Sequence, residues 1–595
     1  MGSATVLGRS MGSFADTPAK DAVVPEISQF AYSDVQMLDG PMLEQFNRNH
    51  AFFLALDDDR LLKPFRQRAG LPAPGEDLGG WYNFSPDFDP PKNMTGYIPG
   101  HSFGQYLSGL ARAYAVTGSK PTQEKVQRLV RGFSETVTAK FYEGYCLPAY
   151  TFDKTNCGLI DAHEFAADPQ ALAVLNHATD AVLPFLPERA LNRAEQAARP
   201  HPNIAYTWDE TYTLPENLYL AYKRGAGDRY GQLAARFLQD RDYFDPLAAG
   251  ENILPGEHAY SHVNALCSAI QCYLTTGSEK HLRAARNGFE FVLTTQSFAT
   301  GGWGPDESFR QPGSGDLGAS LNKTHASFET PCGAYGHFKV SRYLLRSSGE
   351  SRYGDSMEKV LYNTILGALP IQEDGHSFYY SDYNDSGSKF FHQDKWPCCS
   401  GTFPQVTADY GISSYFRSPR AVYVNLYVPS KLTWRQGGTN CVLTQRTQYP
   451  LVPETSIELQ LDRPETFAVM LRIPSWAGPN TRVAINGRPV QQGLEPGRFV
   501  PVSRSWKSGD RIEIQFDMPT RLEAVDPQHP NTNALMHGPL ALFAVGDAPI
   551  SATRAQMLAA RQTSQGSDTW KVNDVEFKSF GSIGRQKYRL YHDIS

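Results

Sequence analysis

The chain has 595 residues, of which 41% are hydrophobic, 20% charged and 12% aromatic, which excludes disorder, collagen-like repeats and coiled coil as descriptions of the whole. Its 56 basic and 62 acidic side chains leave a formal charge of -6 and a pI near 6.2, without the positive footprint that binding a phosphate backbone requires, so nucleic acid is not an expected partner. No run approaches the roughly 20 apolar residues of a membrane span, and the mean hydropathy of -0.42 agrees, so no membrane partner is expected either.

Residues 1–25 read as a tail. Met1-Gly-Ser and Met11-Gly-Ser lack the apolar core of an export signal, which leaves a cytoplasmic and an exported location equally open. From about residue 100 to 370 amphipathic stretches with apolar positions at i, i+3, i+4 and i+7 alternate with short breaks at Gly118, Asp168, Gly227, Gly277 and Gly349. Each break sits where one helix needs a C-cap and the next an N-cap, so the pattern predicts helical hairpins. The repeats are too long for a tetratricopeptide array and too irregular for a solenoid. A closed ring of paired helices fits, and such a toroid gathers its connecting loops over one cavity. After about residue 420 the texture changes to short alternating strands with Asn-Gly and Ser-Gly-Asp turns, which predicts β-sandwich modules. The expected domains are a tail at 1–25, a helical ring at 26–420, a β-sandwich at 421–525 and a second sandwich module at 526–595, with N-terminal strands as candidates to complete that last module.

Eight cysteines in so long a chain do not form a disulfide scaffold. Cys146, Cys157, Cys267 and Cys272 lie in apolar or aromatic contexts and read as buried structural thiols. Trp396-Pro-Cys398-Cys399-Ser-Gly401-Thr402 is sharper, because adjacent cysteines bridge each other only through a strained ring. Together with Glu329-Thr330-Pro331-Cys332 it supplies three thiols and a carboxylate, a set that suits tetrahedral zinc. On spacing alone, two buried thiols and an exposed one are as good a reading. The loop Ala299 to Phe309 is glycine-rich and carries the paired carboxylates Asp306 and Glu307. One of them is a candidate acid/base, with a turn-capping role as the alternative. Aromatic and polar residues interleave at Trp81-Tyr82-Asn83 and Tyr379-Tyr380-Ser-Asp382, as a carbohydrate pocket needs. The sequons at Asn93, Asn322 and Asn384 are short enough to arise by chance.

Ten ordered segments, among them the Gly80-Trp81 pair, GHSFGQYLSGLARAYAVTG, YTFDKTNCGLIDAH, GEHAYSHVNA, TGGWGPDESF, the Glu329 to Cys332 segment, CCSGT and MHGPLALFAV, resemble the glycoside hydrolase family 127 and 146 group, formerly domain of unknown function 1680. That resemblance implies an (α/α)6 barrel catalytic domain followed by β-sandwich domains, and β-L-arabinofuranosidase activity. It further implies Cys398 as nucleophile, Glu307 as acid/base, and Glu329, Cys332, Cys398 and Cys399 as zinc ligands. His258 and Glu216 match sugar-contacting positions, and Asp153 stands where the family carries a histidine. Trp81 and Tyr380 complete the expected substrate contacts. Two residues separate Glu329 from Cys332 where the family usually has one, so the loop must reshape for both to reach one metal. Asp153 and Phe403 suggest a shifted glycone preference.

The expected function is a retaining exo-glycosidase with a zinc-supported cysteine nucleophile, removing terminal β-L-arabinofuranosyl residues from oligosaccharides or glycoconjugates. Another glycone, such as D-arabinofuranose or a deoxy or branched acid sugar, is the nearest alternative. A non-catalytic carbohydrate-binding protein and an (α/α) polysaccharide lyase are the alternatives from other classes. Homodimerisation is left open.

Overall fold

The computed structural model describes residues 27–86, 88, 94–201, 205–490 and 493–594. The tail at 1–25 and the Asn93 sequon lie outside them.

Twelve helices build the ring, in chain order α1 (Pro41–Ala55), α2 (Phe103–Thr117), α3 (Lys120–Ser134), α4 (Pro148–Ala166), α5 (Ala171–Val182), α6 (Leu214–Lys223), α7 (Asp228–Arg236), α8 (Ala259–Thr276), α9 (Glu279–Thr295), α10 (Thr330–Ser348), α11 (Arg352–Asn363) and α12 (Cys398–Ala408). The even-numbered helices form an inner circle in which each packs on the next and α12 closes back onto α2. The odd-numbered helices cover them from outside. The five sequence breaks are the inner-to-outer turns, and Gly118, Gly277 and Gly349 adopt the left-handed C-cap conformation there. The sixth pair joins the two ends of the domain, since α1 covers α12.

The inner helices are buried on nearly every side and so carry no clear amphipathic stripe. Their charged residues are paired across the ring. At the end where these helices finish, Arg112 bonds Asp161 at 2.9 Å and Asp409 at 3.2 Å, and Arg342 meets Asp409 at 2.8 Å. The Tyr32 hydroxyl donates to the same Asp409 at 2.7 Å. At the opposite end all six inner helices begin, and the positive ends of their dipoles point at a shared cavity.

Behind the ring a five-stranded sheet and a seven-stranded sheet form the first sandwich. Its first strand, Tyr415–Ser418, precedes the expected boundary at 421. The N-terminal strands complete this sandwich and not the last module: Ser28–Gln29 pairs with Tyr415–Ser418, and Val35–Met37 pairs with Ser430–Gln436. Having the chain return to its start closes edges of both sheets. The final module is one branched eight-stranded sheet that opens at Thr520–Ala524, a few residues before the expected boundary.

Candidate active site

Cys398 and Cys399 are the first two residues of α12, placed there by Pro397 at the N-cap. Trp396 takes a positive φ of 55°, and its indole donates to the Leu78 carbonyl at 2.8 Å. Gly80 explains the Gly-Trp pair: a Cβ there would stand 2.0 Å from the Lys395 carbonyl oxygen, so only glycine lets the two loops touch. Trp81 then donates its backbone N–H to that oxygen and its indole N–H to Asp394 at 3.1 Å.

Glu329 ends a two-residue strand paired with Tyr380–Ser381, and it caps α10, whose first turn carries Cys332. This strand-to-helix corner places both residues at the same cluster. Ligand atoms of Glu329, Cys332, Cys398 and Cys399 all lie within 4.8 Å of one another, and all four residues are buried. Glu329 Oε1 accepts from Cys398 Sγ at 3.4 Å and from Cys399 Sγ at 3.5 Å, whereas Oε2 has no hydrogen-bond partner. Thr402 donates to Cys332 Sγ at 3.2 Å.

Hydrogen bonds with the Cys332 and Cys399 thiols, joined by the Tyr379 hydroxyl and nearby His101, hold the Cys398 thiol well below its ordinary range in spite of burial. Burial pushes Cys332, Cys399 and Glu329 up instead. Three thiols and a carboxylate this close can all ionise only around a cation, so the group could hold a metal ion.

Glu307 enters from the opposite wall. Asp306 and Glu307 both take positive φ, and Ser308 and Phe309 are laid against Glu257 and His258. The two carboxylates separate: exposed Asp306 turns out to Arg310 at 2.6 Å, and Glu307 turns in. Its Oε1 accepts from the Tyr380 hydroxyl, and its Oε2 lies 3.5 Å from His258 Nε2. Burial opposes ionisation of Glu307, but the His258 contact and the Tyr380 hydroxyl outweigh it and keep the carboxyl below its ordinary value.

His258 caps α8. Its Nδ1 is shared between Glu210 at 2.7 Å and Ser261 at 2.8 Å, which turns Nε2 toward Glu307 and, at 4.0 Å, Glu329. Burial works against a charge on the ring, yet Glu210 and then Glu307 raise it to about 10. Glu210 is itself held at a φ of 47°. Of the seven non-glycine residues with positive φ among those described, Glu210 and Glu307 belong to this site and Trp396 stands two residues before Cys398.

Trp81, Tyr97, His101, Tyr150, Tyr379, Tyr380 and His392 form a chain of ring contacts around it, and Trp208 stands edge-on to His258 at 4.9 Å. The fold thus unites Cys398, Cys399, Cys332, Glu329, Glu307, His258, Tyr380 and Trp81. Asp153 and Glu216 lie deeper in the ring and are engaged by protein. Asp153 accepts from Asn217 at 2.8 Å, and Glu216 pairs with Lys339 at 2.5 Å and Tyr343 at 3.1 Å. Phe403 packs in the helical core. Glu210 and Trp208 escaped sequence reading, because no spacing ties them to His258.

A model of the β-L-arabinofuranosidase GH127 catalytic domain matches residues 34–411, more than half of the chain, and a model of the GH127 middle domain matches residues 421–518. The chain belongs to the GH127 family. A non-reducing end β-L-arabinofuranosidase of Bifidobacterium longum subsp. longum is 22% identical over 401 residues, which make up 60% of this chain but only 58% of the length of that relative. The fold is shared with a GH127 β-L-arabinofuranosidase from Geobacillus stearothermophilus T6, at a TM-score of 0.68 and 16% identity over 94% of this chain and 100% of the other. It is shared equally with a GH127 β-arabinofuranosidase, at a TM-score of 0.70 and 17% identity over 96% and 98%. The GH127 catalytic match spans the whole ring and the GH127 middle-domain match the first sandwich. Among the described residues no helix is long and apolar enough to cross a membrane.

Proposed function

We propose that this protein is a retaining exo-glycosidase that removes terminal β-L-arabinofuranosyl residues from glycans, with Cys398 as nucleophile and Glu307 as acid/base. The observation that carries the reading is that the Cys398 thiol at a helix N-terminus and Glu307, which accepts from Tyr380 and lies 3.5 Å from His258, meet around the shared neighbour Glu329.

Cys398 Sγ attacks the anomeric carbon while the aglycone oxygen leaves with a proton from Glu307. Glu307 receives that proton from His258, whose Nε2 lies 3.5 Å from Glu307 Oε2 and has no hydrogen-bond partner of its own, and Glu210 fixes the imidazole through Nδ1. Glu307 then takes a proton from water, whose oxygen displaces the sulfur; the C–S bond breaks and the thiolate returns. Two inversions leave the anomeric configuration unchanged. Trp81 and Tyr380 offer flat faces to a sugar, their N–H and O–H being donated to Asp394 and Glu307. Glu329, Cys332, Cys398 and Cys399 would hold zinc, which supplies positive charge that keeps thiols deprotonated and fixed without redox chemistry.

The test is release of chromophore from an aryl β-L-arabinofuranoside beside a panel of other furanosides and pyranosides, with Cys398→Ala as the blank. Cys398-dependent release from the L-arabinofuranoside alone supports the whole reading. Release from another sugar instead refutes the glycone and retains the mechanism, and silence across the panel refutes both. Elemental analysis should find close to one zinc per chain, and a metal-free preparation of full activity would overturn that assignment.

A further inference from the structure

At the far end of α8, where the inner helices finish, a second cysteine sits in an arrangement that the glycosidase site does not use. Cys272 Sγ lies 3.5 Å from His281 Nδ1, and His281 Nε2 lies 2.9 Å from Asp240 Oδ1. The residues come from three elements: Cys272 from the last turn of α8, His281 from the first turn of α9, and Asp240 from the start of a π-helical turn, Asp240–Phe244. Such π-turns recur at functional sites. The Gly277 C-cap reverses the chain between the first two elements and brings them face to face.

Two hydroxyls also approach the sulfur, and that of Thr276 donates its proton to the Cys272 carbonyl at 2.8 Å. Tyr219 of α6 donates to its sulfur at 3.5 Å, and the Thr276 hydroxyl lies at 3.6 Å. Ser278 shares His281 Nδ1 at 2.7 Å, and Lys280 binds the other Asp240 oxygen at 2.6 Å and Asp245 at 2.8 Å. The ring of Phe244 closes the remaining side of His281. Burial opposes charge on both partners, yet His281 is raised to about 9 by Asp240 and the thiol, and Cys272 is lowered chiefly by His281. Cys267, on the same helix and equally buried, has no such partner and is pushed up by burial.

We propose that Cys272 is a modification site, its sulfur set beside the His281 ring that Asp240 orients, and that it reacts as the thiolate with small electrophiles of the hydroperoxide class. The sulfur attacks one peroxide oxygen; the O–O bond breaks, an S–O bond forms, and the departing hydroxide takes the proton of His281 Nδ1 and leaves as water. Cysteine is oxidised by two electrons to a sulfenic acid and the peroxide is reduced. Cys272 is 3% exposed, and among the described residues no second cysteine contacts it to resolve the product, so the reaction is a modification and not a turnover.

The experiment treats the folded full-length protein with methyl methanethiolsulfonate, and separately with hydrogen peroxide, and reads each cysteine by fragment-resolved mass spectrometry. At about pH 6 Cys272 should react at least about tenfold faster than Cys146, which is more exposed, and than Cys267. Its rate should rise with pH less steeply than that of Cys267, and peroxide should add one oxygen at Cys272. In His281→Asn the rate at about pH 6 should fall about tenfold or more and recover at alkaline pH. No reaction at Cys272 in the folded protein overturns the proposal, as does a wild-type rate that climbs with pH as steeply as that of Cys267. Should His281→Asn not fold, the wild-type pH profile and the comparison with Cys267 decide by themselves.

Discussion

Cys398 occupies the first position of a helix, where free backbone N–H groups and the helix dipole already favour an anion. The neighbouring thiols and the Tyr379 hydroxyl add to this and lower the thiol from its ordinary range. Serine at that position keeps the shape and loses the anion, so Cys398→Ser should retain its circular dichroism spectrum and lose about 10³-fold or more in kcat. Full activity in that variant would refute the nucleophile. Glu307→Gln removes the transferable proton but keeps a hydrogen-bond acceptor for Tyr380. It should lose about 10²- to 10⁴-fold on substrates with poor leaving groups and much less on activated aryl glycosides. Equal losses on both would exclude Glu307 as the acid. The sequence made these residues legible because cysteine pairs and loop carboxylates stand out by type. It said nothing of Glu210, whose importance comes from a contact with His258 across 48 residues.

At the scale of elements, the inner helices pack closely enough for single glycines to matter. A Cβ on Gly104 of α2 would lie 1.9 Å from the Lys154 carbonyl oxygen of α4, and one on Gly158 would lie 2.3 Å from the Gly104 carbonyl oxygen. Gly104→Ala must therefore push apart the two helices that carry His101 and Tyr150 to the cavity. It should destabilise by about 3 kcal/mol or more, measured by denaturant unfolding, and reduce activity through misplaced walls. A wild-type midpoint would show that the helices move freely. The hairpins themselves were readable, since each turn is a local event with a glycine or aspartate at its cap. The pairing of α1 with α12 was not, because about 350 residues intervene and helical periodicity carries no information on closure.

Across the whole molecule, buried charges fasten the ring to the β-modules. Arg472, fully buried in the first sandwich, reaches Asp355 and Glu358 of α11 at 2.5 and 2.6 Å, and Tyr449 and Trp476 donate to the same Glu358 at 2.6 and 3.0 Å. Removing the guanidinium leaves a carboxylate buried without its counter-charge. Arg472→Met should cost about 3–5 kcal/mol and separate the unfolding of ring and sandwich into two transitions by calorimetry. A single unshifted transition would count against the clamp. Lys389 makes a second tie, donating to the Phe580 and Ile583 carbonyls of the last module at 2.5 and 2.7 Å. Burial pushes its ammonium down to about 7, below the roughly 10.4 of the unfolded chain. Between those values the unfolded state binds the extra proton, so stability rises with pH across that window, and below about 7 the penalty is present in full. The midpoint of thermal unfolding should climb from about pH 7 to about pH 9.5 more steeply in the wild type than in Lys389→Met; parallel curves would refute the assignment.

Sequence alone determined that a helical ring precedes β-modules, where its hairpins turn, and which cysteines and carboxylates are chemically unusual, since periodicity, caps and residue type are local properties. Only the tertiary structure decided which of Asp306 and Glu307 faces inward, a matter of two successive left-handed residues. It likewise decided that Asp153 and Glu216 are taken up by Asn217 and Lys339, that Glu210 orients His258, and that the N-terminal strands complete the first sandwich. Each of these depends on partners distant in the chain, and closing the ring is what brings them within hydrogen-bonding distance.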